Sequence, residues 1–223
     1  MGDPPAVLLP GTLCTADLWA GVRCPAGTRA LATPRGGTLA QAAATVLDAA
    51  PPAPFHLIGF SLGATVACEV LRRAPERLAR LTLVSASALA PRPEQLETWA
   101  AHEREVHAGR FGTLAEGLAA GAGPHHARVL DMALTLGPEV YLEQLALLRS
   151  RPDSRADLAA CRLPLTLLVG AEDRVTPPAL SEALAAQRPR TSLQVVPGAG
   201  HYLPLDAPEA LGAALLTGGA TYA

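Results

Sequence analysis

Lysine is absent from this chain of 223 residues, and all 18 of its basic residues are arginines. The chain therefore has no lysine amine that could form a Schiff base or act as a general base. Its 20 acidic residues bring the formal net charge to −2. Without a basic excess the chain offers no electrostatic surface for nucleic acid, so we expect no nucleic-acid partner.

Long apolar runs are also missing, since none approaches the roughly 20 residues that a membrane-spanning helix needs. Residues 1–5 lack the basic start and the apolar stretch of a signal peptide. Both features predict a cytoplasmic protein without a membrane partner. The length of the chain, together with its 49% of apolar residues, suits one domain over residues 1–223 with a large core.

Metal-binding and redox patterns are missing as well. The four cysteines are scattered without a C-x-x-C spacing, at Cys14, Cys24, Cys68 and Cys161. His102 and His107 are five positions apart, which does not match the spacing of an H-E-x-x-H zinc helix. We therefore expect neither a metal ion nor an organic cofactor.

Short apolar runs alternate along the chain with longer helical patterns. This alternation predicts an α/β fold with a doubly wound, mostly parallel sheet covered by helices on both faces. The expected strands lie at 6–9, 28–32, 55–58, 78–85, 165–169 and 192–196. From about residue 91 to residue 158 we expect an inserted helical cap, because the pattern there contains only helical segments, at 94–108, 113–120, 126–136 and 139–149.

A serine lies between two glycines, in the motif G-F-S-L-G at residues 59–63, where an apolar strand gives way to a helical pattern. Such a strand-to-helix turn holds the serine in a strained backbone conformation with its hydroxyl projecting outward. Glycine is needed on both sides, because a Cβ there would collide with the neighbouring strand or helix. Ser61 is therefore a candidate nucleophile.

A serine nucleophile needs a base to take its proton and an acid to orient that base. In an open parallel sheet, both should come from loops at the carboxyl ends of strands. The loop after strand 165–169 contains Glu172 and Asp173, and the loop after strand 192–196 contains His201. His201 is the candidate base, and either carboxylate is a candidate for the acid.

These motifs resemble those of the α/β-hydrolase superfamily, and the resemblance extends from Val7 to Leu211. It is carried by G-F-S-L-G, by G-A-E-D-R-V-T-P at 170–177 and by G-A-G-H-Y-L-P-L-D-A-P-E at 198–209, in that order. The resemblance implies an α/β-hydrolase fold with a shortened N-terminus, because the usual leading antiparallel hairpin has no room before Val7. It implies that Ser61 is the nucleophile, that His201 is the general base and then acid, and that Asp173 holds His201.

An oxyanion hole requires two backbone N–H groups directed at the developing negative charge. We expect one from Leu62, which follows the nucleophile, and one from the loop after the first strand, with Thr12 as the choice and Leu13 as the alternative. Members of the superfamily usually have His-Gly at this turn, and Pro10 replaces the histidine here. The replacement removes a side chain that often braces the loop.

The resemblance implies hydrolysis of a small to medium carboxylic ester or thioester through an acyl-enzyme on Ser61. The expected partner is a small-molecule ester or thioester. Some members with this triad are carrier-protein thioesterases, C–C bond lyases or ligand receptors with negligible turnover, so these functions remain alternatives. The sequence leaves the natural substrate and the oligomeric state open.

The cap supplies candidates for the substrate pocket. Some of its apolar residues are expected to line the pocket, although packing onto the sheet explains them equally well: Met132, Leu136, Tyr141, Leu145 and Leu148. Four of its arginines are candidates for meeting a substrate carboxylate, although solvated helix positions are the default: Arg104, Arg110, Arg128 and Arg149. Trp19 and Trp99 are expected to be packing residues, with Trp19 near enough to the first loop to touch a ligand.

Overall fold

The computed structural model describes residues 3–216 of the chain. The strands in this range form one six-stranded sheet with the spatial order β2-β1-β3-β4-β5-β6. They are β1 Ala6–Leu9, β2 Arg29–Ala30, β3 Phe55–Phe60, β4 Leu78–Val84, β5 Leu165–Gly170 and β6 Thr191–Val196. All five pairings between neighbouring strands are parallel, which confirms the predicted parallel α/β fold.

From β2 to β6 the helices of the described range alternate with the strands, except that several helices lie between β4 and β5, and two more follow β6. The helices are α1 Leu39–Ala49, α2 Leu62–Arg73, α3 Pro93–His107, α4 Phe111–Ala119, α5 His126–Ser150, α6 Arg155–Ala160, α7 Pro178–Gln187, α8 Leu203–Asp206 and α9 Pro208–Leu216. Helix α1 begins where the sequence predicts, after Thr38, whose hydroxyl accepts a hydrogen bond from the Gln41 amide at 3.2 Å.

The sheet is buried on both faces, because alternate residues of its strands point into two different hydrophobic clusters. In β1, Val7 and Leu9 join one cluster, which includes residues of α1, α2 and α7. Ala6 and Leu8 join the other, which includes residues of α8 and α9. Burial on both sides explains why the central strands are continuous apolar runs rather than alternating patterns.

The segment between β4 and β5 is helical throughout its regular structure. Its helices α3, α4 and α5 share a third hydrophobic cluster, which also contains Leu13 from the loop after β1. The two helices expected at 126–136 and 139–149 correspond to α5, whose backbone breaks at Gly137 (φ 81°, ψ 176°) before Pro138. The break that glycine and proline predict between two helices is therefore a kink within the single helix α5.

The structure differs from the sequence prediction at several boundaries. The second strand has only two residues, Arg29–Ala30, instead of five, and both are exposed at the edge of the sheet. Two short helices were not predicted, Arg155–Ala160 and Leu203–Asp206. Both have six residues or fewer, too short to show a periodic apolar pattern.

None of the helices within residues 3–216 is both long enough and apolar enough to cross a membrane.

Candidate active site

The strand order reverses between β1 and β3, because the chain moves outward from β1 to β2 and then returns to place β3 on the other side. Ligands of open parallel sheets bind outside the carboxyl ends of the strands at such a reversal. The loop that begins at Pro10, here called the first loop, follows the carboxyl end of β1, and Ser61 follows the carboxyl end of β3. The sheet therefore brings the first loop and the candidate nucleophile together.

Ser61 lies in a sharp turn between β3 and α2. Its backbone has φ 51° and ψ −111°, a region that L-residues rarely adopt, and its amide donates to the Val84 carbonyl at 3.0 Å. A strained backbone of this kind persists only where the surrounding structure holds it. The turn has the geometry that the G-F-S-L-G motif predicts.

The two glycines of the motif allow this turn because each lies against backbone atoms. A Cβ on Gly59 would lie 2.6 Å from the amide nitrogen of Ala64, at the start of α2. A Cβ on Gly63 would lie 2.7 Å from the carbonyl oxygen of Pro10, in the first loop. Backbone atoms cannot move aside as flexible side chains do, so both positions require glycine.

His201 lies between Ser61 and Asp173. Its Nε2 atom is 3.2 Å from the hydroxyl oxygen of Ser61, and its Nδ1 atom is 3.0 Å and 3.1 Å from the two carboxylate oxygens of Asp173. The His201 ring also packs against Phe60, with ring centroids 5.3 Å apart. The structure thus brings together three residues from distant parts of the chain, with Ser61 140 positions before His201 and Asp173 28 positions before it.

Asp173 is buried and fully hydrogen-bonded. Its Oδ1 atom accepts from the backbone amides of Val175 (2.9 Å) and Thr176 (2.8 Å), and its Oδ2 atom accepts from the Thr176 hydroxyl (2.8 Å). Burial opposes ionisation of this carboxyl, but the hydrogen bonds from His201 and Thr176 outweigh it and hold its pKa below the ordinary value. Asp173 is therefore an ionised acceptor that can orient His201.

Glu172, the other candidate for the acid, lies elsewhere. Glu172 is exposed to solvent, and its backbone amide donates to the carbonyl of Ala199 at 2.9 Å. Its side chain makes no hydrogen bond to His201 within the described part of the chain. The geometry therefore favours Asp173 over Glu172.

The first loop packs directly against the nucleophile. A Cβ on Gly11 would lie 3.2 Å from the Cβ of Ser61, so this glycine allows the loop to approach. Leu62 is the first residue of α2, and its N–H has no acceptor within the helix. Across residues 3–216, no backbone acceptor is found for the N–H of Thr12 or of Leu62. Both N–H groups therefore remain candidates for the oxyanion hole.

The amide of Leu13 is not free. It donates to the side-chain oxygen Oε1 of Gln144, on α5, at 2.9 Å. The side-chain nitrogen of Gln144 in turn donates to the Thr33 hydroxyl (2.7 Å) and to the Pro34 carbonyl (3.1 Å). This contact leaves Thr12 as the candidate donor of the loop, and it fixes the loop from the helical segment.

Gln144 is fully buried, and sequence reasoning did not identify it. Its position on α5 carries a signal, since it lies three residues after Tyr141 and four before Leu148, among apolar residues of the same helix face. A polar residue on a buried helix face needs a partner. Its partner, however, lies 131 positions away in the chain, and only the structure identifies it.

The loop that holds His201 is fixed by a second residue that the sequence analysis left without a role. Asp206, at the end of α8, accepts a hydrogen bond from the Gly200 amide at 2.8 Å. A histidine of the helical segment, His125, lies 3.4 Å from the other oxygen of the same carboxylate. Asp206 therefore links the position of His201 to the helical segment.

A cavity of about 500 Å³ opens beside Ser61 and His201. It lies beneath the helical segment and is also bounded by the loop that carries Asp173. Of the apolar residues expected to line it, Tyr141 and Leu148 do so, whereas Met132 and Leu145 are buried in hydrophobic clusters and Leu136 packs against one of these clusters. Trp99 borders the cavity, and Trp19 is buried in the core.

None of the four arginines proposed from the sequence borders this cavity. Arg110 pairs with Glu105 and Arg149 with Glu103, and Arg128 donates to the Asp17 carbonyl at 2.6 Å. The arginines that do border the cavity are Arg92, Arg151 and Arg174. Within residues 3–216, no group of three or more His, Cys, Asp and Glu side chains is arranged to hold a metal ion.

Comparison with known proteins shows which family this chain resembles. Residues 24–208 match the family model described as alpha/beta hydrolase fold. A pimeloyl-(acyl-carrier protein) methyl ester esterase of Serratia marcescens is 32% identical over 74% of this chain and 69% of its own length. An enzyme of the same name from Aromatoleum aromaticum is 30% identical, with 94% of this chain and 95% of that enzyme covered.

Among solved structures, a thermophilic esterase from Thermogutta terrifontis, solved with malate bound, superposes with a TM-score of 0.83. The superposition covers 99% of this chain and 92% of the esterase, at 24% identity. It shows a shared fold over nearly the whole chain.

Proposed function

Since this chain belongs to the alpha/beta hydrolase fold family, we propose that it is a serine hydrolase that cleaves a small to medium carboxylic ester or thioester. The observation that carries the proposal is the continuous series of contacts from the Ser61 hydroxyl through His201 to the buried carboxylate of Asp173. Fold alone does not assign a function, and this constellation is the specific argument. The esterase names of the two relatives support the same reaction class.

In the proposed first step, the Ser61 oxygen attacks the carbonyl carbon of the ester while His201 Nε2 takes the hydroxyl proton. Asp173 accepts a hydrogen bond from the Nδ1–H group of His201 and so keeps the opposite ring nitrogen, Nε2, available as the base. The protonated His201 is stabilised by the same carboxylate. The Asp173 side chain is wholly removed from solvent, which strengthens this interaction.

The negative charge that develops on the carbonyl oxygen meets the N–H groups of Thr12 and Leu62. Donors held in place before the reaction stabilise this charge without the cost of reorganisation. His201 then gives its proton to the leaving alcohol or thiol, and the acyl group stays on Ser61. A water molecule, activated by His201 in the same way, releases the acid and restores the serine.

We also propose that residues 91–158 form a cap that covers this site within a single domain of residues 1–223, of which 1–2 and 217–223 lie outside the described residues. The cavity beneath the helical segment, at about 500 Å³, has room for a small to medium substrate. Its wall is largely apolar, with Leu89, Leu118 and Val129 among the contributors. An acyl chain would be buried against these residues.

The test is the hydrolysis of p-nitrophenyl esters from acetate to decanoate, with the Ser61→Ala variant measured in parallel. We expect turnover by the native chain that disappears in the variant, with an optimum of chain length set by the cavity. The variant should retain the thermal stability of the native protein, which shows that the fold is intact. Turnover by Ser61→Ala comparable to that of the native chain would refute the proposal.

A further inference from the structure

The cavity beside Ser61 is positively charged. Three arginines border it, Arg92, Arg151 and Arg174, and none of its described lining residues is an aspartate or a glutamate. A neutral ester gives no reason for this arrangement. Uncompensated guanidinium groups around a cavity attract an anion.

Arg151, which follows α5, is held in a fixed orientation. Its Nε atom donates to the carbonyl of Leu89 at 3.0 Å, and its Nη2 atom donates to the side-chain oxygen of Gln95 at 3.1 Å. Its guanidinium carbon lies 5.5 Å from the centre of the Trp99 ring. These contacts restrict the side chain, so little further entropy is lost when an anion binds.

The partners of Arg151 are all neutral. Within residues 3–216 it forms no ion pair, and its Nη1 atom has no hydrogen-bond acceptor. The side chain is only partly exposed, and burial together with the positive charge of Arg92 lowers its pKa. A bound anion would offset this electrostatic cost, since it supplies the missing counter-charge.

Arg92 lies beside Arg151. Its backbone N–H donates to the same oxygen of Gln95 at 3.1 Å, so Gln95 links the two residues at the start of α3. Arg92 is exposed at the edge of the cavity and likewise forms no ion pair within the described chain. Because Arg92 and Arg151 border the same cavity, both guanidinium groups can act on one ligand.

Other arginines of the helical segment behave differently. Arg149, two positions before Arg151, pairs with Glu103 at 2.8 Å, and Arg110 pairs with Glu105. Carboxylates of this segment thus compensate arginines outside the cavity and not those that border it. This contrast argues against reading Arg151 as one more solvated helix arginine.

We propose that the cavity binds esters that carry a second, free carboxylate, which pairs with Arg151 and Arg92 while the ester carbonyl lies at Ser61. The inference rests on the proposed function, which supplies the ester reaction. The substrate class is the half-ester of a dicarboxylic acid. The Nη1 atom of Arg151, which has no acceptor in the described chain, can donate a charge-assisted hydrogen bond to that carboxylate, and Arg92 adds a second positive charge at the edge of the cavity.

The experiment uses monomethyl esters of the dicarboxylic acids from succinate to suberate. Each is compared with the methyl ester of the corresponding monoamide, in which a neutral terminal amide replaces the free carboxylate. Release of acid is followed at constant pH. We expect kcat/KM to be about tenfold or more higher for the best half-ester than for its amide analogue, as a charge-assisted hydrogen bond gives. The preference should decrease at high ionic strength.

The variant Arg151→Met removes the charge and keeps an apolar side chain of similar length against Trp99. We expect it to lower the ratio of kcat/KM between half-ester and amide by about tenfold or more. Arg149→Met is the matched control, because this arginine is paired with Glu103 away from the cavity, and it should leave the ratio unchanged. If Arg151→Met does not fold, Arg92→Met, at an exposed position, should still lower the ratio.

Failure of this inference differs from failure of the proposed function. Ester turnover without a preference for the half-ester, or a preference that survives in Arg151→Met, would overturn the inference and leave the serine hydrolase intact. Binding is measured separately by titrating the free dicarboxylates into Ser61→Ala protein by calorimetry. Binding that is weakened about tenfold by the additional Arg151→Met change would support the site even without turnover, and absence of binding would overturn it.

Discussion

The side-chain oxygen of Gln144 accepts a hydrogen bond from the backbone amide of Leu13 at 2.9 Å, and this contact joins the helical segment to the loop beside Ser61. Leu13 has φ 53°, an unfavourable conformation for leucine, and its side chain is buried in the cluster formed by α3, α4 and α5. The loop is therefore held both through its backbone and through its side chain. At this turn Pro10 stands where superfamily members usually have histidine, and Gln144 supplies a brace from another part of the chain.

The variant Gln144→Met tests whether this brace positions the Thr12 amide. Methionine is close in size but accepts no hydrogen bond from Leu13, so the loop loses its fixed orientation. We expect kcat for a p-nitrophenyl ester to decrease about tenfold or more, less than the hundredfold or greater loss of a whole oxyanion donor. KM should change little, because Gln144 does not border the cavity.

A purely structural role for Gln144 predicts a different pattern. In the variant the buried N–H of Leu13 would have no acceptor, which would lower the free energy of unfolding by about 1–3 kcal/mol. A purely structural role predicts no selective effect on kcat below the melting transition. Equal kcat for the variant and the native protein at a temperature where both are folded would contradict the positioning role.

The pair Asp173→Asn and Glu172→Gln tests which carboxylate orients His201. Asparagine at 173 favours the wrong tautomer of His201, so we expect kcat to decrease by up to about 10⁴-fold with a smaller change in KM. Glu172→Gln is the matched control, since its side chain is exposed and makes no contact with His201. A larger loss for Glu172→Gln than for Asp173→Asn would show that the acid has been misassigned.

The variant Gly63→Ala tests the packing of the nucleophile turn against the first loop. The added Cβ would meet the carbonyl groups of Leu9 and Pro10, which cannot move without displacing β1. We expect a loss of several kcal/mol in the free energy of unfolding, in the range of severe core substitutions, and loss of activity. Thermal and urea denaturation measure the first effect.

Gly117→Ala is the control for that substitution. Gly117 lies in α4 with nothing within 4 Å of its added Cβ. Because alanine is the better helix former, the control should raise the free energy of unfolding by about 0.5–1 kcal/mol. Equal stability of the two variants would show that Gly63 is not packed as described.

His56, on β3, makes stability depend on pH. It is buried, with Nε2 2.8 Å from the Thr82 hydroxyl, and burial together with the charge of Arg80 lowers its pKa from 6.5 to about 4, against an opposing effect of Asp3. Because the folded pKa lies below the unfolded value, the unfolded chain binds more protons between pH 6.5 and 4. Stability from this residue is therefore present above pH 6.5 and is lost as pH falls toward 4.

The variant His56→Gln isolates this effect, since glutamine does not titrate and can still bond to Thr82. The difference between 6.5 and about 4 corresponds to roughly 3 kcal/mol. We expect the free energy of unfolding of the native protein to fall by about this much more than that of the variant between pH 7 and pH 4. Parallel pH profiles of the two proteins in urea denaturation would contradict the assignment.

Much of the fold was predictable from the sequence, because its information is local. Each central strand is a continuous apolar run, and G-F-S-L-G marks a turn that only glycine at both flanks permits. The candidate residues Ser61, Asp173 and His201 follow strands of a parallel sheet, so the topology alone places them at one edge. The two-residue strand Arg29–Ala30 was overestimated, since an exposed edge strand shows no apolar pattern.

The rest depends on contacts between distant segments. Gln144 reaches Leu13 across 131 positions, and Arg151 reaches Leu89 across 62. Such pairings are set by the way in which the helices between β4 and β5 pack on the sheet, and no spacing in the sequence encodes them. Arg149 and Arg151 are two positions apart, yet one is ion-paired and the other borders the cavity.

The most direct test of the account is covalent labelling with a fluorophosphonate, followed by intact mass and peptide mass analysis. Fluorophosphonates phosphonylate a serine only when a neighbouring base and an oxyanion hole activate it. We predict one label for each protein molecule, located on the peptide that contains Ser61, with loss of ester hydrolysis in proportion and no label in Ser61→Ala. Ester hydrolysis that persists in fully labelled protein, or a label on another residue, would contradict the proposed function.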